Sequence, residues 1–303
     1  MNKQMAWKAE TAEAGKRLDV ALAGRLPDLS RSTLQEMIKA GAVTVDGRPG
    51  KPSLKLRGGE RVVCRLPEPE PPATLQATAL TFGILYEDPH LIAVDKPVGL
   101  VVHPGAGRET ASVVAGVLAH TALSPIGAPL RPGVVHRLDK GTSGVMLLAK
   151  TQKAHQKLAR MFAARETHKE YLAIVQGHPR NASGRIEIAI ERDRVHRQRM
   201  KATPADRGRM AISTFQVVER LKGAALVRVR IETGRTHQIR VHLSYLGHPL
   251  LGDVTYGGRR WQGRAVHFLH AARLSLAHPV TGAPLVLEAP LPAAFEQALR
   301  DLR

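Results

Sequence analysis

The segment Gly133-Val134-Val135-His136-Arg137-Leu138-Asp139-Lys140-Gly141-Thr142-Ser143-Gly144 gathers one acid, one imidazole, two cations and two hydroxyls into twelve residues. Apolar residues lead in, and Val145-Met146-Leu147-Leu148-Ala149 leads out. The polar centre is therefore expected on a loop held between buried strands, a good mount for a reactive group. Asp139 stands between Arg137 and Lys140, a neighbourhood that favours a carboxylate. A carboxylate acts as nucleophile or as base. A turn aspartate pinned by cations has the same sequence and is usually structural. Two other chemistries fit worse. Gly141-Thr142-Ser143-Gly144 does not supply the G-x-x-x-x-G-K-[ST] of a phosphate loop. A triad of Ser143, His136 and Asp139 would crowd into one loop with no G-x-S-x-G elbow.

Fourteen histidines invite a metal reading, but no H-E-x-x-H occurs. The pairs His237/His242 and His267/His270 lack carboxylate or cysteine companions at ligand spacing, so no metal is expected. The single cysteine, Cys64, excludes an internal disulfide and a cysteine-based zinc site, and fits a reducing cytoplasm.

The 303 residues carry a formal net charge of +19, which favours polyanionic partners. No long apolar run or hydrophobic N-terminal segment is present, so nucleic acid is preferred over a membrane surface. Between Glu191 and Met210 lie Arg192, Arg194, Arg197, Arg199, Lys201, Arg207 and Arg209. With Pro204 and Gly208 among them, they read as a mobile basic loop.

Three parts must position these groups. Residues 67–73, Pro-Glu-Pro-Glu-Pro-Pro-Ala, should be extended. They set off a small module (1–66) and, through a linker spanning 67–77, a larger region (78–303). In the small module a helix is expected from Lys16 to Leu22. A second should run from Arg31 to Ala40, capped by Ser30 and stopped by Gly41. Strand Val43–Val45 then enters an Asp46-Gly47 turn. This module has thirteen Lys/Arg against seven Asp/Glu, and Arg17, Arg31 and Lys39 should face solvent. In the larger region strands are expected at Ile84–Tyr86, Leu91–Val94, Val145–Ala149, Tyr171–Val175, Ile186–Ile190 and Leu226–Ile231. An amphipathic helix should run from Thr151 to Arg165 with Leu158, Met161 and Phe162 inward. Strands that mostly follow one another predict an α+β domain with a mixed, largely antiparallel sheet.

Several ordered segments carry a family likeness. Arg17-Leu18-Asp19, Ser30-Arg31-Ser32 and Gly41 to Gly47 resemble the S4-like RNA-binding module. His136 to Gly144 resembles the signature of the RluA family of pseudouridine synthases. Lys96-Pro97-Val98-Gly99 with Val102 to Gly107, Lys169 to Ala173, Glu232 to His242, Gly247 to Asp253 and Leu269 to Leu274 match further family blocks in order. The resemblance implies a pseudouridine synthase fold and cofactor-free isomerisation of uridine. It makes Asp139 the catalytic carboxylate, Tyr171 the residue beneath the target base, and Arg240 the partner of Asp139. It also places Leu269 or Leu274 against that base, with Arg137 and Arg235 toward RNA. Were 232–242 a strand, residues 236, 238 and 240 would share one face. Gly141 departs from an acidic residue frequent in close relatives, which should alter loop flexibility more than chemistry. The implied partner is large-subunit ribosomal RNA or its precursor, at the stem-loop that bridges to the small subunit, bound by a monomer. Another ribosomal or transfer RNA target, or a non-catalytic assembly factor, remain as alternatives.

Overall fold

The computed structural model describes residues 4–26, 31–65, 75, 77–79, 82–104, 111–196 and 198–303, without the side chain of Ser32. The expected Ser30 cap, the extended segment 67–73, Gly105-Ala106-Gly107 and Arg197 lie outside the described residues. The chain divides into two units, Met1–Pro72 and Ala73–Arg303.

In the first unit, strand β1 (Gln4–Lys8) precedes helices α1 (Leu18–Arg25) and α2 (Arg31–Lys39), and β2 (Val43–Val45), β3 (Arg48–Pro49) and β4 (Arg61–Arg65) follow. The strand before the helices was not expected from the sequence. It pairs with β4 to complete a sheet ordered β1-β4-β2-β3. Leu18, Leu22, Leu34 and Ile38 from the helix stripes meet Val43, Val62 and Cys64 in one core. Asp46 and Gly47 both take positive φ (47° and 77°), the backbone of a two-residue hairpin turn that matches strand twist.

The second unit runs β5 (Ile84–Glu87), β6 (Leu91–Lys96), α3 (Val113–His120), β7 (Ser143–Ala149), α4 (Gln152–Ala164), β8 (His168–Gln176), β9 (Ser183–Arg192), β10 (Met200–Thr203), β11 (Arg209–Leu221), β12 (Ala224–Ile231), α5 (Gln238–Tyr245), β13 (Leu269–Ala277), β14 (Pro284–Glu288) and α6 (Ala293–Leu302). Its strands form a ten-stranded sheet ordered β10-β9-β11-β12-β8-β13-β7-β6-β5, with β14 on β13. Among the described strands only β13 and β7 pair in parallel, so the fold is α+β with a mixed, largely antiparallel sheet.

Every residue of β7 is buried, as its unbroken apolar run requires of a strand covered on both faces. Gly144 is the point of closest approach. Its φ is +107°, and a Cβ there would lie 2.2 Å from the Ala271 carbonyl oxygen of β13. Only glycine lets the reactive loop re-enter the sheet there. Helix α4 covers this layer through Ala154 and Leu158, with Met161 and Phe162 packed beside them. It opens at Thr151, whose side chain accepts from Ala154 N–H, a cap contributing about 1 kcal/mol.

Two expected local structures differ. The basic stretch 191–210 is not one loop, because β10 pairs with β9 across it. Met200 and Ala202 alternate with exposed Lys201 and, with buried Thr203, let it form a strand despite its charge. Residues 238–245 form helix α5, not a strand, so strand alternation does not place Arg240. Instead Gln238 ties the turn to β11. Its Nε2 donates to Ile212 O (2.9 Å) and Ser213 Oγ (3.0 Å), while its Oε1 accepts from Thr233 Oγ1 (2.7 Å) and Arg235 N (3.0 Å).

Candidate active site

Asp139 sits on the loop between α3 and β7, and three contacts fix that loop. Thr142 N donates to Asp139 O (3.0 Å) and Gly99 N to Lys140 O (2.8 Å). Lys96 Nζ donates to Pro97 O (2.9 Å), Leu100 O (2.7 Å) and Lys140 O (3.3 Å). Lys96 is wholly buried, and burial brings its ammonium down to about 8 against the opposing pull of Asp139. Gly141 closes the turn against His267: a Cβ would lie 2.6 Å from His267 Cε1. A side chain there would push against that ring.

Two clefts meet at this loop, of about 1200 Å³ and about 410 Å³. Arg137, Leu138, Asp139, His237 and Arg240 line both. The smaller has the volume of a site for one nucleotide-sized ligand. Tyr171 and Leu269 line it too. Leu274 belongs to the core beneath α4. Leu269 is thus the candidate that reaches the cleft.

Arg240 projects from the first turn of α5. Its Nη1 lies 3.4 Å from Asp139 Oδ2, a long contact. Its stronger partner is Asp253, which accepts from Nε (2.7 Å) and Nη2 (2.9 Å). This planar fork is the geometry arginine forms best with a carboxylate. Asp253, nearly inaccessible to solvent, aims the guanidinium and leaves Nη1 toward Asp139. The expected Arg240–Asp139 pairing is therefore one arm of a triad completed by Asp253. The Tyr256 ring, centred 4.9 Å from Arg240 Cζ, covers the guanidinium.

Tyr256 also connects three segments. Its hydroxyl accepts from Met200 N (2.8 Å) on β10 and lies 2.7 Å from His237 Nδ1. His237 adopts φ +56°, a left-handed backbone costing about 1–2 kcal/mol for a residue with a side chain, and this contact holds it. His237 Nε2 lies 3.8 Å from Asp139 Oδ2. Burial keeps His237 below the ordinary imidazole value, more than Asp139 raises it, so at neutral pH it is an uncharged neighbour of Asp139. Burial, and then the Asp139 charge, pushes the Tyr171 phenol well above its usual value, so it stays protonated.

The cations expected to face RNA are placed differently from one another. Arg137 is exposed at the junction of the clefts. Arg235 lines the smaller cleft, with Nε donating to Met210 O (3.2 Å). Lys39 is exposed in the last turn of α2. Arg17 and Arg31 are about half exposed, but both bind the fully buried Asp19, at 3.0 Å each. The hydrogen bond from Arg17, with those from Gln35 and Arg31, holds the Asp19 carboxyl far below the ordinary range despite burial. Sequence reasoning gave no role at this site to Asp253, Tyr256 or His267; Asp253 lay inside a segment already singled out, and His267 had been weighed only as half of a histidine pair.

A carboxylate at the junction of two basic clefts, steered by a buried arginine, defines a site for an anionic, nucleotide-sized substrate. The model of the RNA pseudouridylate synthase family matches residues 90–245, and that of the S4 domain matches residues 16–62. An RNA pseudouridine synthase of Bacillus subtilis is 40% identical over 97% of this chain and 97% of its own. The ribosomal large subunit pseudouridine synthase D of Pseudomonas aeruginosa is 40% identical over 95% and 92%. Human RNA pseudouridylate synthase domain containing 4 superposes with a TM-score of 0.59 at 29% identity, covering 73% of this chain and 93% of its own. The chain belongs to the RNA pseudouridylate synthase family and carries an S4 domain. Its reaction is the isomerisation of uridine to pseudouridine in RNA.

Proposed function

We propose that the substrate is large-subunit ribosomal RNA, at the stem-loop that bridges to the small subunit, and that Asp139, Tyr171 and Arg240 carry the reaction. The observation that carries the residue assignment is the meeting of both clefts at Asp139, with Arg240 Nη1 3.4 Å from its carboxylate. The target must leave its stack to reach such a cleft. Tyr171 then lies beneath the base and Leu269 beside it. Asp139, as carboxylate, works at the ribose while the C1′–N1 bond breaks. The base turns, C5 bonds to C1′, and the C5 proton is lost as N1 gains one. Covalent addition to the sugar and abstraction of a sugar proton both need the carboxylate that Arg240 orients. No cofactor enters this scheme.

The ribosomal target is supported by relatives bearing the name ribosomal large subunit pseudouridine synthase D, which align over nearly the whole chain. In this reading the module of residues 1–66 grips the RNA through Arg17, Arg31 and Lys39. The linker 67–77 joins it to the catalytic region 78–303, and Arg137 and Arg235 meet phosphates near the cleft. The protein works as a cytoplasmic monomer. No described helix is long and apolar enough to cross a membrane. The test is pseudouridine mapping of total RNA from cells with and without the gene. Loss confined to that stem-loop, restored by wild type but not by Asp139→Asn, supports the assignment. Loss from transfer RNA or another ribosomal site, with the stem-loop still modified, overturns it.

A further inference from the structure

We propose that Lys169, with Arg165 and Arg235 around it, forms a phosphate seat that binds the RNA phosphodiester flanking the uridine on Tyr171. The inference rests on the uridine-isomerising reading of the smaller cleft and adds to it how the flanking backbone is held. Lys169 lies two residues before Tyr171 on β8, so the two share a strand face about 7 Å apart. Both line the smaller cleft with Asp139. Lys169 also lines a neighbouring groove of about 540 Å³ shared with Arg165. A phosphate beside the flipped uridine falls within that reach.

Among the described residues no carboxylate is paired with Lys169, Arg165 or Arg235. Two of the nearby acids are engaged elsewhere: Glu170 binds Arg228 and Arg230, and Glu232 binds Arg185. The Lys169 ammonium rests over the Phe162 ring, 5.8 Å from its centre, and that ring stacks on half-buried His136 at 4.8 Å. Burial, and after it the charge of Arg165, lowers Lys169 from the ordinary lysine value. Burial, with Arg209 and Arg165, does the same at Arg235. Lys169 and Arg235 are half-buried cations with no paired carboxylate among the described residues; such burial is costly, and an arriving phosphate would relieve that cost. Arg165 ends α4 in a left-handed conformation, φ +63°, which carries the chain from α4 toward Lys169.

The test uses the full-length protein and stem-loop RNAs in which single linkages around the target uridine are replaced by uncharged methylphosphonate. For wild type, one linkage next to the uridine should weaken binding about tenfold or more, the scale of a charge-assisted hydrogen bond. Lys169→Met keeps the stem packing and should bind the all-phosphate RNA correspondingly less tightly. It should then lose little more at that linkage. Arg165→Gln, at an exposed position, should lower the slope of log K against log salt by up to about 0.7, as for one single-strand contact. Equal losses for wild type and Lys169→Met at every linkage, or an unchanged salt slope for Arg165→Gln, would overturn the seat while leaving wild-type pseudouridine formation intact. Failure of wild type to make pseudouridine would overturn the underlying reading as well.

Discussion

Asp253→Ala is the substitution that most sharply separates this account from a simple Arg240–Asp139 pair. Asp253 supplies both short contacts to Arg240, at 2.7 and 2.9 Å, whereas Asp139 supplies one at 3.4 Å. Both partners are buried. Removing one partner of such a pair strands the other charge, at a cost of about 3–5 kcal/mol. For a unit of this size each kcal/mol lowers Tm by about 2–4 °C, so the variant should melt roughly 10 °C below wild type. Activity should fall even where the protein remains folded, because Arg240 loses the fork that aims Nη1. A misplacement near 1 Å at a reacting group can cost about a hundredfold. Single-turnover pseudouridine formation at 20–25 °C, beside a thermal melt, reads both effects. Asp253→Asn, which keeps one acceptor, should fall between. A melt within about 2 °C of wild type, with an unchanged single-turnover rate, would refute the triad.

Arg240→Met should leave RNA affinity within a few-fold of wild type yet nearly silence the single-turnover step, since the guanidinium contacts Asp139 directly; a near-normal rate would show that the wrong arginine has been assigned. Tyr171→Phe keeps the ring that packs beneath the base and removes the hydroxyl, so the fold should persist while turnover drops by at least tenfold, on the scale of positioned proton-transfer groups. Asp19, held low by Arg17, should stabilise the first unit above the ordinary carboxylate range, and this stabilisation should be lost as pH falls through and below that range. Asp19→Asn should be less stable than wild type at neutral pH, and the gap should begin to narrow at the acid end of urea melts run between pH 7 and 3. A gap that widens in acid would reverse the sign.

The parts legible in the sequence share one property: a local pattern decided them. Val145–Ala149 is an unbroken apolar run and became the doubly covered β7; Thr151 with Leu158, Met161 and Phe162 at helical spacing became α4. Asp46-Gly47 needed no tertiary context to turn the chain. What stayed hidden depends on contacts between distant segments. The stretch 191–210 has the charge of a solvated loop, yet β9 and β11 supply ladder partners that make Met200–Thr203 a strand. Residues 232–242 carry no strong period, and the buried Gln238 side chain fixes the turn into α5. The site followed the same rule. Asp139, Tyr171 and Arg240 stand in recognisable blocks, and they line one cleft. Asp253 and Tyr256 become visible only when the 3₁₀ turn at Val254–Tyr256 folds back over Arg240.

The account rests most on Asp139, and one measurement tests it directly: single-turnover pseudouridine formation by Asp139→Asn on the ribosomal stem-loop, with RNA affinity measured on the same preparation. The amide keeps the shape of the side chain but is neither nucleophile nor base. The predicted result is no detectable pseudouridine with affinity within a few-fold of wild type. Appreciable pseudouridine from a preparation free of wild-type enzyme would contradict the account.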